Sequence, residues 1–342
     1  MIKVGLIGYG YWGPNLARCF SEAPKAQLAA VHDRSPDALR KAGQRYPHAA
    51  MIGDLQELLS DPEIDAVAIA TPVRTHYPLG LAALGAGKHV LIEKPMACTS
   101  QAARRLIDEA DRRGRVLMVD HTFVYTGAVR KIRDLLAAGE LGEIYYYDST
   151  RVNLGLLQHD VNVVWDLAVH DLSILDFVLP EAPVAVSATA VSHVPGSPET
   201  MAFINLFFPG GALAHINVNW LAPVKVRQTM IGGSRKMILW DDLQPSEKVK
   251  VFDKGVTVLP RGEALYELLI GYRSGDMWAP QLSTAEALRI EVDHFLDCIE
   301  AGATPITDGH AGLRVLELLE AVTWSIHQRG RTIDLKLERE AS

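Results

Sequence analysis

The sequence has few cysteines and no long hydrophobic run. Its three cysteines, Cys19, Cys98 and Cys298, lie far apart and form no C-x-x-C pair, which argues against a disulfide framework or a thiolate zinc site. No apolar run reaches the roughly 18 to 20 residues that cross a bilayer, and the first residues lack the pattern of a secretory signal. We therefore expect a soluble, cytoplasmic protein.

An excess of positive charge is also missing. The chain has 34 Lys+Arg against 41 Asp+Glu, a formal net charge of −7, which gives no reason to expect DNA or RNA as a partner. A small anionic ligand remains compatible with this balance, because its site needs only local cations. The 342 residues, 48% of them hydrophobic, are enough for about two domains, each with its own core.

In the first third of the chain, short apolar runs alternate with helical patterns. Helix signals include Ser35 before Pro36, and Ser100 as the cap of a run that stops at Gly114. This alternation predicts βαβ units and a doubly wound parallel sheet, the Rossmann arrangement. The predicted strands are Ile2–Ile7, Gln27–Val31, Ala66–Ala70, His89–Ile92 and Val116–Val119.

The pattern changes after about residue 121. At least six strand-like runs lie between Val184 and Val258, separated by short polar breaks, which predicts an open, mostly antiparallel sheet. A helical segment is predicted around Val164–Leu179, and two more helices near the end of the chain, Ala285–Glu300 and Gly309–His327. The predicted fold is therefore α/β, with a Rossmann domain at 1–121 and a second α/β domain at 122–342.

A glycine-rich loop follows the first predicted strand. Residues Gly8–Gly13 read G-Y-G-Y-W-G and precede a helix candidate. In this context Gly8 permits the turn, Gly10 lets the backbone approach a pyrophosphate, and Gly13 lets the helix pack on the strand. The loop, with Tyr11 and Trp12, is the predicted dinucleotide contact.

The second strand ends near an acidic residue suited to a ribose. Asp33 lies about 20 residues beyond Gly13, the spacing at which a carboxylate binds the adenosine ribose hydroxyls. This favours NAD, because a carboxylate repels the extra phosphate of NADP. The neighbouring Arg34 could bind that phosphate, stack on adenine or simply be a solvated charge, so NADP is not excluded.

Two further segments follow predicted strands, at the edge where open α/β sheets bind ligands. One contains Thr71, Pro72 and His76, and the other contains Glu93 and Lys94. A lysine fixed there before a proline is placed to reach a nicotinamide. An ordinary exposed loop lysine is an equal alternative on position alone.

The helical segment W-D-L-A-V-H-D supplies an acid/base pair. Asp166 and His170 are four residues apart and would share one helix face, so that the carboxylate could orient the imidazole for proton transfer. The alternatives are a surface ion pair, which is the commoner case, and a metal site with His159 or Asp160, which no dense ligand motif supports. We predict no metal.

Taken together, these motifs resemble the Gfo/Idh/MocA oxidoreductase family over nearly the whole chain. Residues 10–15 (G-Y-W-G-P-N) and 165–172 (W-D-L-A-V-H-D-L) are most similar to its nucleotide-sugar branch of 3-dehydrogenases. Two departures concern the substrate: His121 stands where many relatives have Asn, and Val169 where this branch often has Pro. The resemblance implies dimers or tetramers formed through the second domain's sheet.

The resemblance also implies residue roles. Lys94 matches the catalytic lysine, Asp166 and His170 match its acidic and histidine partners, and Glu93, Thr71, Pro72 and His76 match positions around the nicotinamide ribose. We expect reversible hydride transfer between a sugar carbinol, at C3 of a nucleotide sugar, and NAD. His170 is the predicted proton-transfer residue, Lys94 binds the reacting oxygen and shares the relay, and Asp166 orients them.

Substrate phosphates would need cations on the second domain. Arg151, with Asn153 beside it, is the candidate for this contact, and exposed sheet charge is the alternative. Other activities remain open: a dehydrogenase of a free sugar or inositol, an NAD-dependent glycosidase, and a non-catalytic NAD sensor.

Overall fold

The structure, a computed structural model, describes residues 1–155, 161–258 and 270–335. Six parallel strands form its first sheet, in the order β3-β2-β1-β4-β5-β6. Their side chains are almost all buried because helices cover both faces, which explains the unbroken apolar runs. The strands are β1 (Ile2–Ile7), β2 (Ala26–His32), β3 (Ala50–Ile52), β4 (Ala66–Ile69), β5 (His89–Glu93) and β6 (Leu117–Asp120).

The helices between these strands follow the predicted caps with one exception. The Ser35 hydroxyl accepts a hydrogen bond from Ala38 N, as expected for an N-cap. At the fifth helix the cap is Thr99 rather than Ser100, because the Thr99 hydroxyl accepts from Ala102 N. The helices are α1 (Gly13–Glu22), α2 (Pro36–Arg45), α3 (Leu55–Ser60), α4 (His76–Gly85) and α5 (Ser100–Arg113), with 3₁₀ turns at Val73–Thr75 and Thr122–Tyr125.

Within the described residues the second sheet has nine strands, in the order β14-β13-β12-β11-β7-β10-β9-β8-β15. All the paired strands are antiparallel except β7 and β10, so the predicted mixed α/β fold is confirmed. The strands are β7 (Ile144–Leu154), β8 (Ala185–Val191), β9 (Met201–Phe207), β10 (Leu213–Asn219), β11 (Leu221–Gly233), β12 (Met237–Asp241), β13 (Val249–Val258), β14 (Ile270–Trp278) and β15 (Ile333–Asp334).

Four further helices complete the described part of the chain. They are α6 (Gly127–Ala137), α7 (Val169–Val178), α8 (Ala287–Ala301) and α9 (Gly309–His327). A single π-helical turn, Val164–Ala168, leads directly into α7. The helical segment predicted at 164–179 is therefore present, but its first turn is wider than an α-helix.

The chain forms two compact units. The first holds residues 1–126 and 285–320, and the second holds the described residues from 127 to 284 and from 321 onward. Residues 285–320 belong to the first unit because Val119 N donates to Thr307 O at 2.8 Å and the Phe20 and Phe295 rings pack edge to face. The division predicted at 121 therefore places this segment in the wrong unit.

Candidate active site

The glycine-rich loop is shaped by two close backbone approaches. Gly8 has φ of +99°, and a Cβ there would lie 2.6 Å from Ala70 O; a Cβ on Gly13 would lie 2.1 Å from Gly8 O. By contrast, a Cβ on Gly10 would meet nothing within 4 Å. Gly8 thus lets the loop lie against the end of β4, and Gly13 lets α1 lie against the loop. Gly10 leaves room for a pyrophosphate next to the helix N-terminus.

Asp33 is fixed by backbone amides at the end of β2. Its Oδ2 accepts from Tyr9 N at 2.7 Å and its Oδ1 from Ser35 N at 2.8 Å. Each carboxylate oxygen keeps a further lone pair, which suits the two hydroxyls of a ribose. The half-buried carboxylate and the open cradle at Gly10 therefore fit NAD, and Arg34 is exposed beside them.

The two aromatic residues of the loop have different surroundings. Tyr11 is 89% exposed at the loop tip. Trp12 is half-buried, and its indole Nε1 donates to Asp120 Oδ2 at 2.7 Å, which connects the loop to the end of β6. Trp12 is thus a support of the loop, and its predicted contact with the cofactor stays a prediction.

His76 connects the two loops that follow β4 and β5. Its Nδ1 lies 2.8 Å from Pro95 O and its Nε2 lies 2.7 Å from Thr71 O. Burial, opposed by these two carbonyl groups, lowers the pKa of the imidazole, and the charge of Lys94 lowers it further. Both ring nitrogens face the protein's own backbone, so the imidazole joins the loops that carry Thr71 and Pro95, and its predicted place around the nicotinamide ribose stays a prediction.

Lys94 directly follows β5, and His121 directly follows β6, the strand paired with it. Glu93 is in register with Asp120 in the β5–β6 ladder, so both of the residues that come next follow their strands at the carboxyl edge of the sheet, and the charge of Lys94 acts on His121. His121 is 2% exposed, and burial, with the charge of Lys94, lowers the pKa of its imidazole to about 3. The His121 imidazole is therefore neutral at physiological pH.

A buried carboxyl group on α8 was not predicted as a site residue. Glu291 is 0% exposed, and it faces Asp120 and Thr122 with Glu93 nearby. Burial and the neighbouring carboxylates raise its pKa well above the usual range. A sequence signal existed: Glu291 interrupts the apolar face of α8, four residues before Phe295, and a charged residue there is rarely buried without a reason.

In the second unit, Asp166 lies within the π turn that precedes α7. Trp220 Nε1 donates to Asp166 Oδ2 at 3.1 Å, and Asn162 Oδ1 accepts from the amides of Val164 and Trp165 at the start of the turn. The spacing between Asp166 and His170 is therefore not that of the regular α-helix assumed from the sequence. Single π turns of this kind occur often at functional sites.

Arg151 is held in a buried ion pair. Its Nε donates to Asp171 Oδ2 at 2.6 Å, and the residue is 3% exposed. Ser149 Oγ donates to the other carboxylate oxygen at 2.6 Å. The guanidinium thus binds a carboxylate of the protein itself, which favours a structural role, and its predicted contact with a substrate phosphate stays a prediction. Asn153, two residues on in β7, is half-buried.

Other predicted groups add no metal site. His159 and Asp160 lie outside the described residues, and the described ones contain no group of three or more His, Cys, Asp or Glu side chains able to hold a metal ion. None of the three cysteines, all of them within the described residues, forms a disulfide bond. In the part of the chain that the structure covers, no helix is both long and apolar enough to cross a membrane.

Two family models match the chain. Residues 2–121 match an oxidoreductase family with an NAD-binding Rossmann fold. Residues 129–239 match the GFO/IDH/MocA C-terminal domain. The two matches correspond to the two kinds of sheet described above.

Three curated relatives are similar over most of the chain. An uncharacterised oxidoreductase of Escherichia coli is 31% identical over 72% of this chain and 73% of its own length. The D-apiose dehydrogenase of Paraburkholderia graminis is 28% identical over 99% and 91%, and the UDP-N-acetylglucosamine 3-dehydrogenase of Acidithiobacillus ferrooxidans is 29% identical over 92% and 94%.

A solved structure has the same fold. The crystallised UDP-N-acetylglucosamine 3-dehydrogenase of Acidithiobacillus ferrooxidans superposes with a TM-score of 0.82 at 26% identity, over 96% of this chain and 98% of its own. The likeness thus includes both sheets.

Proposed function

The chain belongs to the Gfo/Idh/MocA family of NAD-dependent oxidoreductases, and from that premise we propose that it oxidises a ring carbinol of a sugar, in first place C3 of a nucleotide sugar. One observation carries the proposal: Lys94 lies at the same carboxyl edge of the first sheet as the glycine-rich loop and Asp33. The residues that would hold a dinucleotide therefore lie at the same edge of the sheet as Lys94, a cation suited to bind a hydroxyl oxygen.

The residues of this chain divide the work. NAD, when bound, accepts the hydride from the carbinol carbon. Lys94 binds the carbinol oxygen and stabilises the charge that develops on it, His170 takes the hydroxyl proton, and Asp166 keeps the imidazole oriented. The indole of Trp220 supports this assignment, because its hydrogen bond restrains the Asp166 carboxylate.

The substrate class is supported by the relatives. One of them is named a UDP-N-acetylglucosamine 3-dehydrogenase and matches nearly the whole chain. Two observations favour a free sugar as the second candidate: the D-apiose dehydrogenase matches a similar share of the chain, and Arg151 is bound to Asp171 instead of facing solvent. Under the first candidate, Asn153 and Arg151 contact the diphosphate.

A screen of NADH formation distinguishes the candidates. The purified protein is incubated with NAD and UDP-sugars, free pentoses and hexoses, or inositols, with NADP run in parallel. We expect NADH with a UDP-sugar, and loss of turnover but not of NAD binding in Lys94→Ala and His170→Ala. Wild-type turnover in both variants would refute the residue assignment. Release of a leaving group without net NADH would identify a glycosidase.

We also propose that the protein is a cytoplasmic homodimer or homotetramer formed through the nine-stranded sheet. On β9 and β10, alternate residues are buried while Phe203, Phe207 and Leu213 are exposed on the other face. Large apolar side chains exposed on a sheet face are typical of a subunit interface. Free thiols support a reducing compartment. Light scattering would show a monomer if the interface is wrong.

A further inference from the structure

A chain of buried groups connects α8 to the glycine-rich loop within the first unit. Trp12 Nε1 donates to Asp120 Oδ2, and the Thr122 hydroxyl donates to Asp120 Oδ1. Helix α8 packs against the 3₁₀ turn that contains Thr122, and from α8 the Glu291 carboxyl group faces Asp120 and Thr122. Asp120, itself 1% exposed, therefore lies between Glu291 and Trp12.

The charge state of Glu291 follows from its surroundings. As a carboxylate, Glu291 has no proton to donate. The Thr122 hydroxyl that faces it, and would favour its charged form, donates to Asp120 instead, and within the described residues neither buried Glu291 oxygen receives a hydrogen bond. Asp120 and Glu93, which face it from β6 and β5, oppose a third negative charge, and burial raises its pKa well above the usual range. As a carboxylic acid, however, Glu291 gains an O–H donor directed at an acceptor carboxylate.

We propose that Glu291 is a positioning residue of the NAD site, which donates a hydrogen bond to Asp120 and thereby holds Trp12 and the start of α1 in place. The Asp120 carboxylate then receives hydrogen bonds from Trp12, Thr122 and Glu291, which restrain it on all sides. Because Trp12 directly precedes Gly13 and α1, a shift of its indole displaces the helix N-terminus at which the pyrophosphate binds. Glu291 itself does not touch the cofactor.

The position of Trp12 explains why a distant side chain would affect binding. The N-cap of α1 is Trp12 itself, which makes no side-chain capping hydrogen bond to the helix and instead donates its indole hydrogen bond to Asp120. Trp12 and Asp120 are 108 residues apart in sequence, and Glu291 comes from a helix later still. The inference rests on the NAD binding of the family and is independent of the proposed sugar substrate.

The experiment measures the NAD dissociation constant of the full chain by calorimetry without sugar, together with the melting temperature. Glu291→Met keeps the approximate volume and removes the donor, whereas Glu291→Gln keeps a donor. We expect Met to weaken NAD binding about tenfold without lowering the melting temperature, and Gln to stay within about threefold of wild type. Glu300→Gln, an exposed position on the same helix, is the matched control.

A double-variant cycle tests the connection through Asp120. Trp12→Phe removes the indole donor at a half-buried position and should weaken NAD binding by a similar factor. The double variant Trp12→Phe/Glu291→Met should bind no more weakly than the weaker single variant, because both changes break one chain of contacts. Unchanged NAD affinity in Trp12→Phe or in Glu291→Met, or effects that multiply, would overturn the proposal. If Glu291→Met does not fold, unchanged NAD affinity in Trp12→Phe would still overturn the proposal.

Discussion

Arg151 and Asp171 form an ion pair that the fold removes from water. The guanidinium Nε donates to the carboxylate at 2.6 Å, and Asp171 is only 1% exposed. The pair joins β7 to α7, the helix that carries His170. The position of His170 therefore depends on a charge pair that is itself no candidate for proton transfer.

Removing one partner of this pair should destabilise the protein strongly. We expect Asp171→Ala to lower the free energy of unfolding by about 3–5 kcal/mol, because the buried Arg151 guanidinium would lose the carboxylate that it binds. Arg40→Ala removes the exposed pair with Asp37 and should cost less than about 1 kcal/mol. Urea unfolding followed by circular dichroism measures both changes. A change below 1 kcal/mol in Asp171→Ala would contradict this account of the pair.

His76 should influence turnover through the loops that it joins. His76→Phe keeps a ring but removes the contacts with Thr71 O and Pro95 O. Displacing Lys94 by about 1 Å should lower kcat roughly 100-fold, whereas NAD affinity should change much less because the glycine-rich loop is untouched. His48→Phe at an exposed position is the control. Equal loss of kcat and NAD affinity would point to a general disturbance of the unit.

Asp33 should decide the preference for NAD over NADP. Asp33→Ser keeps an oxygen acceptor near Tyr9 N and Ser35 N but removes the charge that repels a 2′-phosphate. The ratio of NADP to NAD affinity should rise about tenfold or more. Asp37→Ser, an exposed change on α2, should leave the ratio alone. Fluorescence titration with both cofactors tests this, and an unchanged ratio would mean that Arg34 or another group sets the preference.

His121 should make the fold sensitive to acid. Its pKa is lowered to about 3 in the folded protein from about 6.5 in the unfolded chain, so its stabilising contribution is complete above pH 6.5 and is lost as pH falls toward 3. The loss approaches about 1.4 kcal/mol per pH unit. We expect the free energy of unfolding, measured with urea, to fall less steeply between pH 6.5 and 4 in His121→Asn than in the wild type. Part of the pH dependence should remain because the pKa of His89 is also lowered, to about 4. An identical slope in His121→Asn would show that the imidazole is not held neutral.

Glu291 should reduce stability increasingly as pH rises. Its pKa is raised by folding, so its contribution is most favourable below the unfolded value of about 4.3 and worsens by up to about 1.4 kcal/mol per pH unit until the folded pKa is reached. Glu291→Gln removes the titration, so its stability advantage over wild type should be larger at pH 7.5 than at pH 5.5. Glu300→Gln should show no such trend. An advantage independent of pH would mean that Glu291 is charged in the folded protein.

Local patterns in the sequence were sufficient for the regular elements. Continuous apolar runs predict the buried parallel strands, and Gly114, at φ of +61°, ends α5 as expected. Short elements are missed, among them β3, α3 and β15, because three to six residues do not complete a recognisable period. The cap of α5 is off by one residue because Thr99 and Ser100 are both good caps.

The sequence by itself determined the Rossmann sheet and the glycine-rich loop with Asp33 after the second strand, because each depends on short patterns of residues. It also pointed to Lys94 after β5, whose catalytic role stays a prediction. Tertiary structure alone decided the pairing of Arg151 with Asp171, the use of both His76 nitrogens, and the meeting of Glu291 with Asp120. These contacts join residues 5 to 171 positions apart. No periodicity encodes them, since the charge state and role of a buried group depend on what surrounds it in space.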